Sequence, residues 1–243
     1  MIPREQTETV DLCLDHVLRR WQSDPPAETP ITGNAQGHTL TYQSHFDRGQ
    51  VRFIWQGPKH AITQDMSCFL PLWNHWAALA VDCFRLLAPE SAKWLEPDSL
   101  EPEVSSVSVL DLFYYQTGEP GGVDLGGHTD PGVLTIVAGS TPGLEILHHG
   151  AWHPVPATSE TPVILSGRML GNITSGRLLP CTHRVVRARE ATVPRASATF
   201  ELRLSEAGVF EAARLEGQQR AEGVPDRPVF PADFGEAWRC RIA

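Results

Sequence analysis

Three side chains that could hold one metal ion stand out in the sequence. His128 and Asp130 are separated by a single residue in the segment GGHTDPG, and His183 follows in the segment CTHRVV. Side chains two residues apart leave the same face of a strand, so His128 and Asp130 form a chelating pair. Two imidazoles and one carboxylate are the donor set of non-heme iron(II) centres that keep other coordination positions open. The sequence therefore predicts a catalytic metal centre made by His128, Asp130 and His183.

Two other groups of histidines carry a weaker signal. His45 and Asp47 form a second His-x-Asp pair. This pair lacks a third-ligand candidate like His183, which stands at the start of a predicted strand. The histidines of the segment HHGAWH, residues 148–153, flank a glycine in a predicted hairpin turn, where solvated polar residues are usual. We interpret the first pair as incidental and the second group as solvent-exposed.

An acid-binding pair follows the third metal-ligand candidate. In the segment RASATFELRL, the side chains of Arg195 and Ser197 lie on one face of a predicted strand, and the apolar side chains lie on the other. An arginine fork matches a carboxylate, and a serine hydroxyl can add a further hydrogen bond. The same face carries Glu201, which we expect at a solvent-exposed strand end, with contact to a polar or cationic substrate as the alternative. Arg187 and Arg189 are expected to lie on a solvated face.

The elements that must position these residues are short strands. Apolar residues at helical spacing predict helices over about 10–21 and over 69–87, and looser alternation predicts strands within 39–55. From about residue 104 onwards, β-rich runs alternate with Gly and Pro, which favours a sandwich or jelly roll. These runs are VSVLDLFYY, VLTIVAG, LEIL, PVILSG, HRVVRA and SATFELRL.

Composition narrows the classes of protein. The chain has 243 residues and a net charge of −9, which disfavours binding to nucleic acid or to an anionic membrane. The five cysteines show no Cys-x-x-Cys spacing, so we expect a reducing, cytoplasmic location rather than a disulfide framework. No run of apolar residues is long enough to span a membrane. We expect a mixed N-terminal region over 1–103, a core over 104–204 and a loop-and-helix segment over 205–243.

The set His128-x-Asp130, His183 and Arg195-x-Ser197 resembles the 2-oxoglutarate/Fe(II)-dependent oxygenases of the isopenicillin N synthase-like superfamily, over about residues 104–204. The resemblance implies a mainly β fold, a double-stranded β-helix or jelly roll with flanking α-helices. It also implies that the two histidines and Asp130 hold Fe(II), while Arg195 and Ser197 bind the distal carboxylate of 2-oxoglutarate. Either Tyr115 or Tyr114 corresponds to a family tyrosine that contacts the same carboxylate.

Two positions depart from the family pattern. Arg168 stands where the family usually has an acidic residue, in the segment LSGR, and the sequence does not indicate its partner. Phe113 stands where the family usually has asparagine, which predicts a more apolar wall beside the tyrosine. The region before residue 104 is also shorter than is usual in the family, which predicts a more open pocket.

The resemblance implies an enzyme that consumes O2, converts 2-oxoglutarate to succinate and CO2, and oxidises an unactivated C–H bond of a small molecule. Hydroxylation, desaturation and cyclisation all stay open as outcomes. Two alternatives rest on the same residues. Two histidines and a carboxylate also suit a zinc-dependent hydrolase, although no general base lies beside the histidines as in His-Glu-x-x-His. A non-catalytic, metal-containing jelly-roll binding module is the other alternative.

Overall fold

The structure is a computed structural model, and it describes residues 4–23, 33–35, 38–45, 50–55, 69–89, 108–115, 122–174, 176–187 and 193–203. Three helices and eleven strands lie in these ranges. The helices are α1 (Arg4–Ser23), α2 (Phe69–Leu87) and α3 (Arg168–Ile173). The strands are β1 (Gly33–Ala35), β2 (His38–His45), β3 (Gln50–Trp55), β4 (Val109–Tyr115), β5 (Val123–His128), β6 (Leu134–Gly139), β7 (Leu144–His148), β8 (Ala151–Val155), β9 (Val163–Ser166), β10 (His183–Val186) and β11 (Arg195–Leu202).

The strands form two antiparallel sheets. The larger sheet has the order β1-β2-β3-β4-β11-β6-β9, and the smaller has the order β5-β10-β7-β8. From β4 onwards the chain passes repeatedly from one sheet to the other, which is the winding of a jelly roll. The expected fold class, a mainly β jelly roll with flanking helices, is thereby confirmed.

The two long helices pack on the larger sheet. Their buried side chains form one core cluster with the outer-face residues of β11, which include Ala198 and Phe200. The ring of Trp73 on α2 meets the ring of Phe200 edge-on, with centroids 5.0 Å apart. Because one face of β11 is fixed in this apolar layer, its other face is presented to the space between the sheets. The apolar residues whose spacing predicted a helix over 69–87 are not all in this layer, since Leu87 at its end is 37% exposed.

The predicted strands within 39–55 are present as β2 and β3, and β3 pairs directly with β4. The N-terminal region thus contributes strands to the same sheet as the core, and the division of the chain near residues 103 and 204 stays a prediction. Within the described part of the chain, no helix is long and apolar enough to cross a membrane. Three parts of the predictions lie outside the described residues. These are the segment 205–243, Asp47 of the second His-x-Asp pair, and Arg189.

Candidate active site

The three predicted metal ligands meet at the end of the smaller sheet. His128 is the last residue of β5 and His183 is the first of β10, and the two are cross-strand partners. The Asp130 carboxylate lies between them: its Oδ1 is 3.6 Å from His128 Nε2, and its Oδ2 is 3.6 Å from His183 Nε2. One ligand atom from each residue lies within 4.8 Å of the others. Two donor atoms bound to one ion at about 2.1 Å can lie at most about 4.2 Å apart, and both 3.6 Å contacts of the Asp130 carboxylate fall within that limit.

The ring orientation of both histidines is fixed by the main chain. His128 Nδ1 is 2.8 Å from the carbonyl oxygen of Gly126, and His183 Nδ1 is 3.1 Å from that of Cys181. A carbonyl only accepts a hydrogen bond, so Nδ1 carries the proton in each neutral ring. The Nε2 lone pair therefore points toward Asp130 and is available to a metal.

The turn that carries Asp130 is tied to its surroundings by main-chain bonds. The Arg168 N–H donates to the Asp130 carbonyl at 2.9 Å, and the Met169 N–H donates to the Gly132 carbonyl at 3.1 Å. Gly167 allows this close approach, because a Cβ there would lie 2.0 Å from the Gly132 carbonyl oxygen. The basic residue in the segment LSGR thus starts α3, and its main-chain N–H supports the turn that presents Asp130.

The metal-ligand candidates line a cavity between the two sheets. The inward faces of β4, β6 and β11 form one side, and those of β5, β7 and β10 form the other. The lining residues are Asp111, Phe113, Tyr115, Leu125, His128, Asp130, Thr135, Val137, Leu144, His183, Val185, Arg195, Ser197, Thr199 and Glu201.

Arg195 is a buried cation at one end of this cavity. Its side chain donates from Nε to the Thr141 carbonyl at 3.0 Å, while Nη1 has no hydrogen-bond partner among the described residues. Two glycines make room for the guanidinium: a Cβ at Gly139 would lie 2.6 Å from Nη2, and one at Gly143 would lie 3.1 Å from Nε. Burial lowers the pKa of Arg195, with Tyr115 acting in the opposite direction. An anion beside Nη1 would stabilise the buried charge.

Tyr115 and Ser197 lie beside this cation. The Ser197 Oγ is 3.5 Å from the Tyr115 hydroxyl, and the guanidinium carbon of Arg195 is 5.1 Å from the centre of the Tyr115 ring. Burial raises the pKa of Tyr115, so its hydroxyl stays a neutral donor near neutral pH. Tyr114 instead belongs to the apolar core under the helices. The sequence left open whether Tyr114 or Tyr115 faces the cavity, and the structure shows that Tyr115 lines it.

The wall next to Tyr115 is apolar, as expected from the residue that replaces the family asparagine. The Phe113 ring stacks on the Tyr115 ring with centroids 5.9 Å apart. Phe113 also belongs to a small cluster with Val185 and Leu125, which are contributed by the opposite sheet. These side chains connect the two sheets and form an apolar part of the cavity wall.

Two predictions about charged residues are wrong. Glu201 is only 2% exposed, since its Oε1 accepts a bond from the Gly132 N–H at 2.7 Å and its Oε2 binds Arg203 at 2.6 Å. Arg187 pairs with the buried carboxylate of Asp124 rather than lying on a solvated face. Burial raises the pKa of Asp124, and the bond from Arg187 opposes this shift. The bond from Gly132 to Glu201 and the pair of Arg187 with Asp124 join residues far apart in the sequence, so neither has a local signal, whereas Arg203 lies only two residues from Glu201.

The histidines of the β7–β8 hairpin are exposed, as predicted. The turn has positive φ at His149 and Gly150, and the rings of His148 and His149 lie 4.0 Å apart. Among the described residues, the group that could hold a metal ion is the set His128, Asp130 and His183.

Comparison with known proteins agrees with this geometry. Residues 106–204 match the model of the 2OG-Fe(II) oxygenase superfamily. This part of the chain is therefore similar to the proteins of that superfamily. The match includes every candidate ligand discussed above, from Tyr115 to Ser197. The chain is also 39% identical over 66 residues to a protein of Oryza sativa subsp. japonica named 2-oxoglutarate-dependent dioxygenase 21, chloroplastic. That stretch covers 26% of this chain and 20% of the rice protein, so the chain spans about a fifth of the length of this curated relative.

Three solved structures share the fold. Neurospora crassa T7H, crystallised with alpha-KG and 5-formyluracil, has a TM-score of 0.65 at 19% identity, covering 84% of this chain and 72% of that one. The Arabidopsis thaliana dioxygenase for auxin oxidation 1, solved with 2-oxoglutarate, has a TM-score of 0.65 at 20% identity, covering 82% and 79%. A putative oxygenase of Shewanella oneidensis has a TM-score of 0.64 at 21% identity, covering 90% and 87%.

Proposed function

We propose that this protein is an Fe(II)- and 2-oxoglutarate-dependent oxygenase that oxidises a C–H bond of a small-molecule metabolite, with O2 consumed and succinate and CO2 released. The observation that carries the proposal is one cavity lined by two kinds of site. A two-histidine, one-carboxylate group lies on one part of it, and a buried guanidinium whose Nη1 has no partner in the described part of the chain lies on another.

His128, Asp130 and His183 would hold the metal. Their donor set suits Fe(II), and it leaves the remaining coordination positions to other ligands. The hydrogen bonds from both Nδ1 atoms to main-chain carbonyls favour the ring orientation that a ligand histidine needs. The acid between the two imidazoles supplies a negative charge that offsets part of the charge of a divalent ion.

Arg195, Ser197 and Tyr115 would bind the distal carboxylate of 2-oxoglutarate. The Nη1 atom of Arg195 is buried without a partner among the described residues, and a carboxylate is the group whose geometry matches such a fork. The hydroxyls of Ser197 and Tyr115 lie 3.5 Å apart and can each donate a further bond. The two glycines around Arg195 favour one position of the guanidinium.

When bound, iron and 2-oxoglutarate together activate O2 for attack on a substrate C–H bond. The protein's own contribution is placement and exclusion of water. Phe113, Val137, Leu144 and Val185 line the cavity with apolar surface, so a bound substrate would be held against the metal site away from bulk solvent. Hydroxylation, desaturation and cyclisation differ in which substrate atom is held closest.

The decisive experiment is anaerobic reconstitution with Fe(II) and 2-oxoglutarate. We expect a visible metal-to-ligand charge-transfer band in the wild type and its loss in the His183→Ala variant. After O2 is admitted, we expect succinate, measured by mass spectrometry, in amounts that increase with a matching substrate. A folded wild-type protein that shows no band and makes no succinate would overturn the proposal. A hydrolase or a binding module would leave 2-oxoglutarate intact.

Small-molecule screening can follow the shift of the same band. The net charge of −9 supports a substrate other than nucleic acid. The expected cytoplasmic location stays a prediction, which fractionation of the native host would test.

A further inference from the structure

The turn that presents Asp130 is held from one side by a buried side chain of β11. We propose that Glu201, with its charge balanced by Arg203, is a positioning residue that keeps the Asp130 carboxylate between the two histidines. The inference rests on the proposed metal site, and it concerns a residue outside the ligand set.

The tether is a hydrogen bond from the main chain of the turn. The Gly132 N–H donates to Glu201 Oε1 at 2.7 Å, and the bond is buried. Pro131, the residue between Asp130 and Gly132, has no N–H to donate. The Val133 N–H donates to the Leu202 carbonyl at 2.8 Å, so the turn is held to the end of β11 by adjacent bonds. Glu201 thus makes a side-chain bond to the N–H two residues from the carboxylate ligand.

The contact is tight enough to fix a position. A Cβ at Gly132 would lie 2.7 Å from Glu201 Cγ and 2.6 Å from the Leu202 carbonyl oxygen. The turn and β11 therefore meet with no space for a side chain at Gly132. A shift of Glu201 would be transmitted to this segment rather than absorbed by a gap.

Arg203 explains how a charged acceptor is tolerated at this place. Its Nη2 lies 2.6 Å from Glu201 Oε2, and the two side chains are 2% and 3% exposed. The Arg203 N–H also donates to the Ser108 hydroxyl at 3.2 Å, which holds the end of β11. A carboxylate accepts stronger hydrogen bonds than a neutral oxygen, and a buried pair of this kind is better suited to fixing geometry than to adding stability.

Glu201 would maintain the equal spacing of the Asp130 carboxylate oxygens from the Nε2 atoms of the two histidines, which is 3.6 Å on each side. A rotation of the turn would bring the carboxylate closer to one imidazole and away from the other. Loss of groups that orient metal ligands typically lowers metal affinity about 10- to 100-fold. We expect an effect of this size when the acceptor for the Gly132 N–H is removed.

The test compares two variants that both remove the charge of Glu201. Glu201→Gln keeps an oxygen that can accept from Gly132, whereas Glu201→Leu has none. The apo proteins are titrated with Co(II), followed by calorimetry and by the visible spectrum of the bound ion. We expect Glu201→Leu to bind Co(II) about 10- to 100-fold more weakly than Glu201→Gln, with an altered spectrum. Equal Co(II) affinities and spectra for the two variants would overturn the inference.

Folding and charge effects are separated by further variants. Either substitution at Glu201 leaves the buried charge of Arg203 without its partner, so both are repeated in an Arg203→Met background. We expect the same order of Co(II) affinities in that background. Glu145→Leu is the matched control, because it breaks the Glu145–Arg184 pair, whose side chains are 18% and 26% exposed. We expect it to leave Co(II) affinity unchanged. If the wild type binds no Co(II), the proposed metal site is wrong. If the wild type binds but the ranking is absent, only the role of Glu201 is wrong.

Discussion

Replacing Gly139 with alanine should weaken 2-oxoglutarate binding without disturbing the metal ligands. The added Cβ would lie 2.6 Å from Arg195 Nη2, whereas ordinary van der Waals contacts begin near 3.4 Å, so the guanidinium must move by about 0.8 Å. Gly139 lies opposite Ser197 in the β6–β11 register, and the Asp130 turn is held near Leu202 at the other end of β11. The perturbation therefore falls at the Arg195 end of β11, where the added Cβ would also lie 3.1 Å from the Thr141 carbonyl oxygen that accepts from Arg195 Nε.

The magnitude follows from the bonds that such a movement would break. A displacement approaching 1 Å removes the alignment of a charge-assisted hydrogen bond, which contributes about 1.5–3 kcal/mol. Since about 1.4 kcal/mol corresponds to a tenfold change, the Kd for 2-oxoglutarate should rise by roughly 10- to 150-fold. The Kd for the metal should stay within about twofold of the wild-type value.

The assay is an anaerobic titration of the Fe(II)-loaded protein with 2-oxoglutarate, followed by the charge-transfer band, with a separate titration of the apo protein with Co(II). Gly126→Ala is the matched control, because a Cβ there meets nothing within 4 Å. We expect the control to keep the wild-type affinity for 2-oxoglutarate. A folded Gly139→Ala protein with an unchanged Kd for 2-oxoglutarate would refute the assignment of Arg195 as the clamp.

Three further outcomes are expected. Mn(II) at about 100 times its Kd should raise the unfolding free energy of the wild type by about 2.7 kcal/mol, and a similar rise in His183→Ala, measured by urea titration, would contradict the metal site. Because burial raises the pKa of Tyr115 above that of the unfolded chain, its contribution to stability is full below pH 10 and is lost at higher pH. Urea titrations of Tyr115→Phe should therefore show a smaller loss of stability between pH 9.5 and 11 than the wild type, and equal losses would argue against this burial. Phe200→Ala should lower the unfolding free energy by about 3–5 kcal/mol, since the ring is fully buried against Trp73; a loss under 1 kcal/mol would contradict that packing.

The ligand candidates could be predicted from the sequence because their signal is local. His128 and Asp130 are two residues apart, as are Arg195 and Ser197, and the period of a strand places each pair together. The alternation along β11 also predicted which face meets the apolar core. The choice between Tyr114 and Tyr115 needed the structure, because both residues lie in a run that is buried on both faces.

The contacts of the charged residues could not be predicted in the same way. Glu201 finds its partner at Gly132, 69 residues earlier, and Arg187 finds Asp124, 63 residues earlier. Each pair forms only when two strands that are distant in sequence have come together in one sheet, so no local period reports it. Strand β5 was missed because its two glycines weaken the strand signal, and β8 was missed because it contains Pro154 and is an edge strand.

The place of β11 in the larger sheet has a consequence for biosynthesis. β11 is inserted between β4 and β6, two strands that leave the ribosome long before it does. Until β11 arrives, each of those strands presents an open edge on which a neighbouring nascent chain can add. The three metal-ligand candidates all precede β11 in the chain, but the bonds that tie the Asp130 turn to Glu201 and Leu202 form only after β11 has joined the sheet.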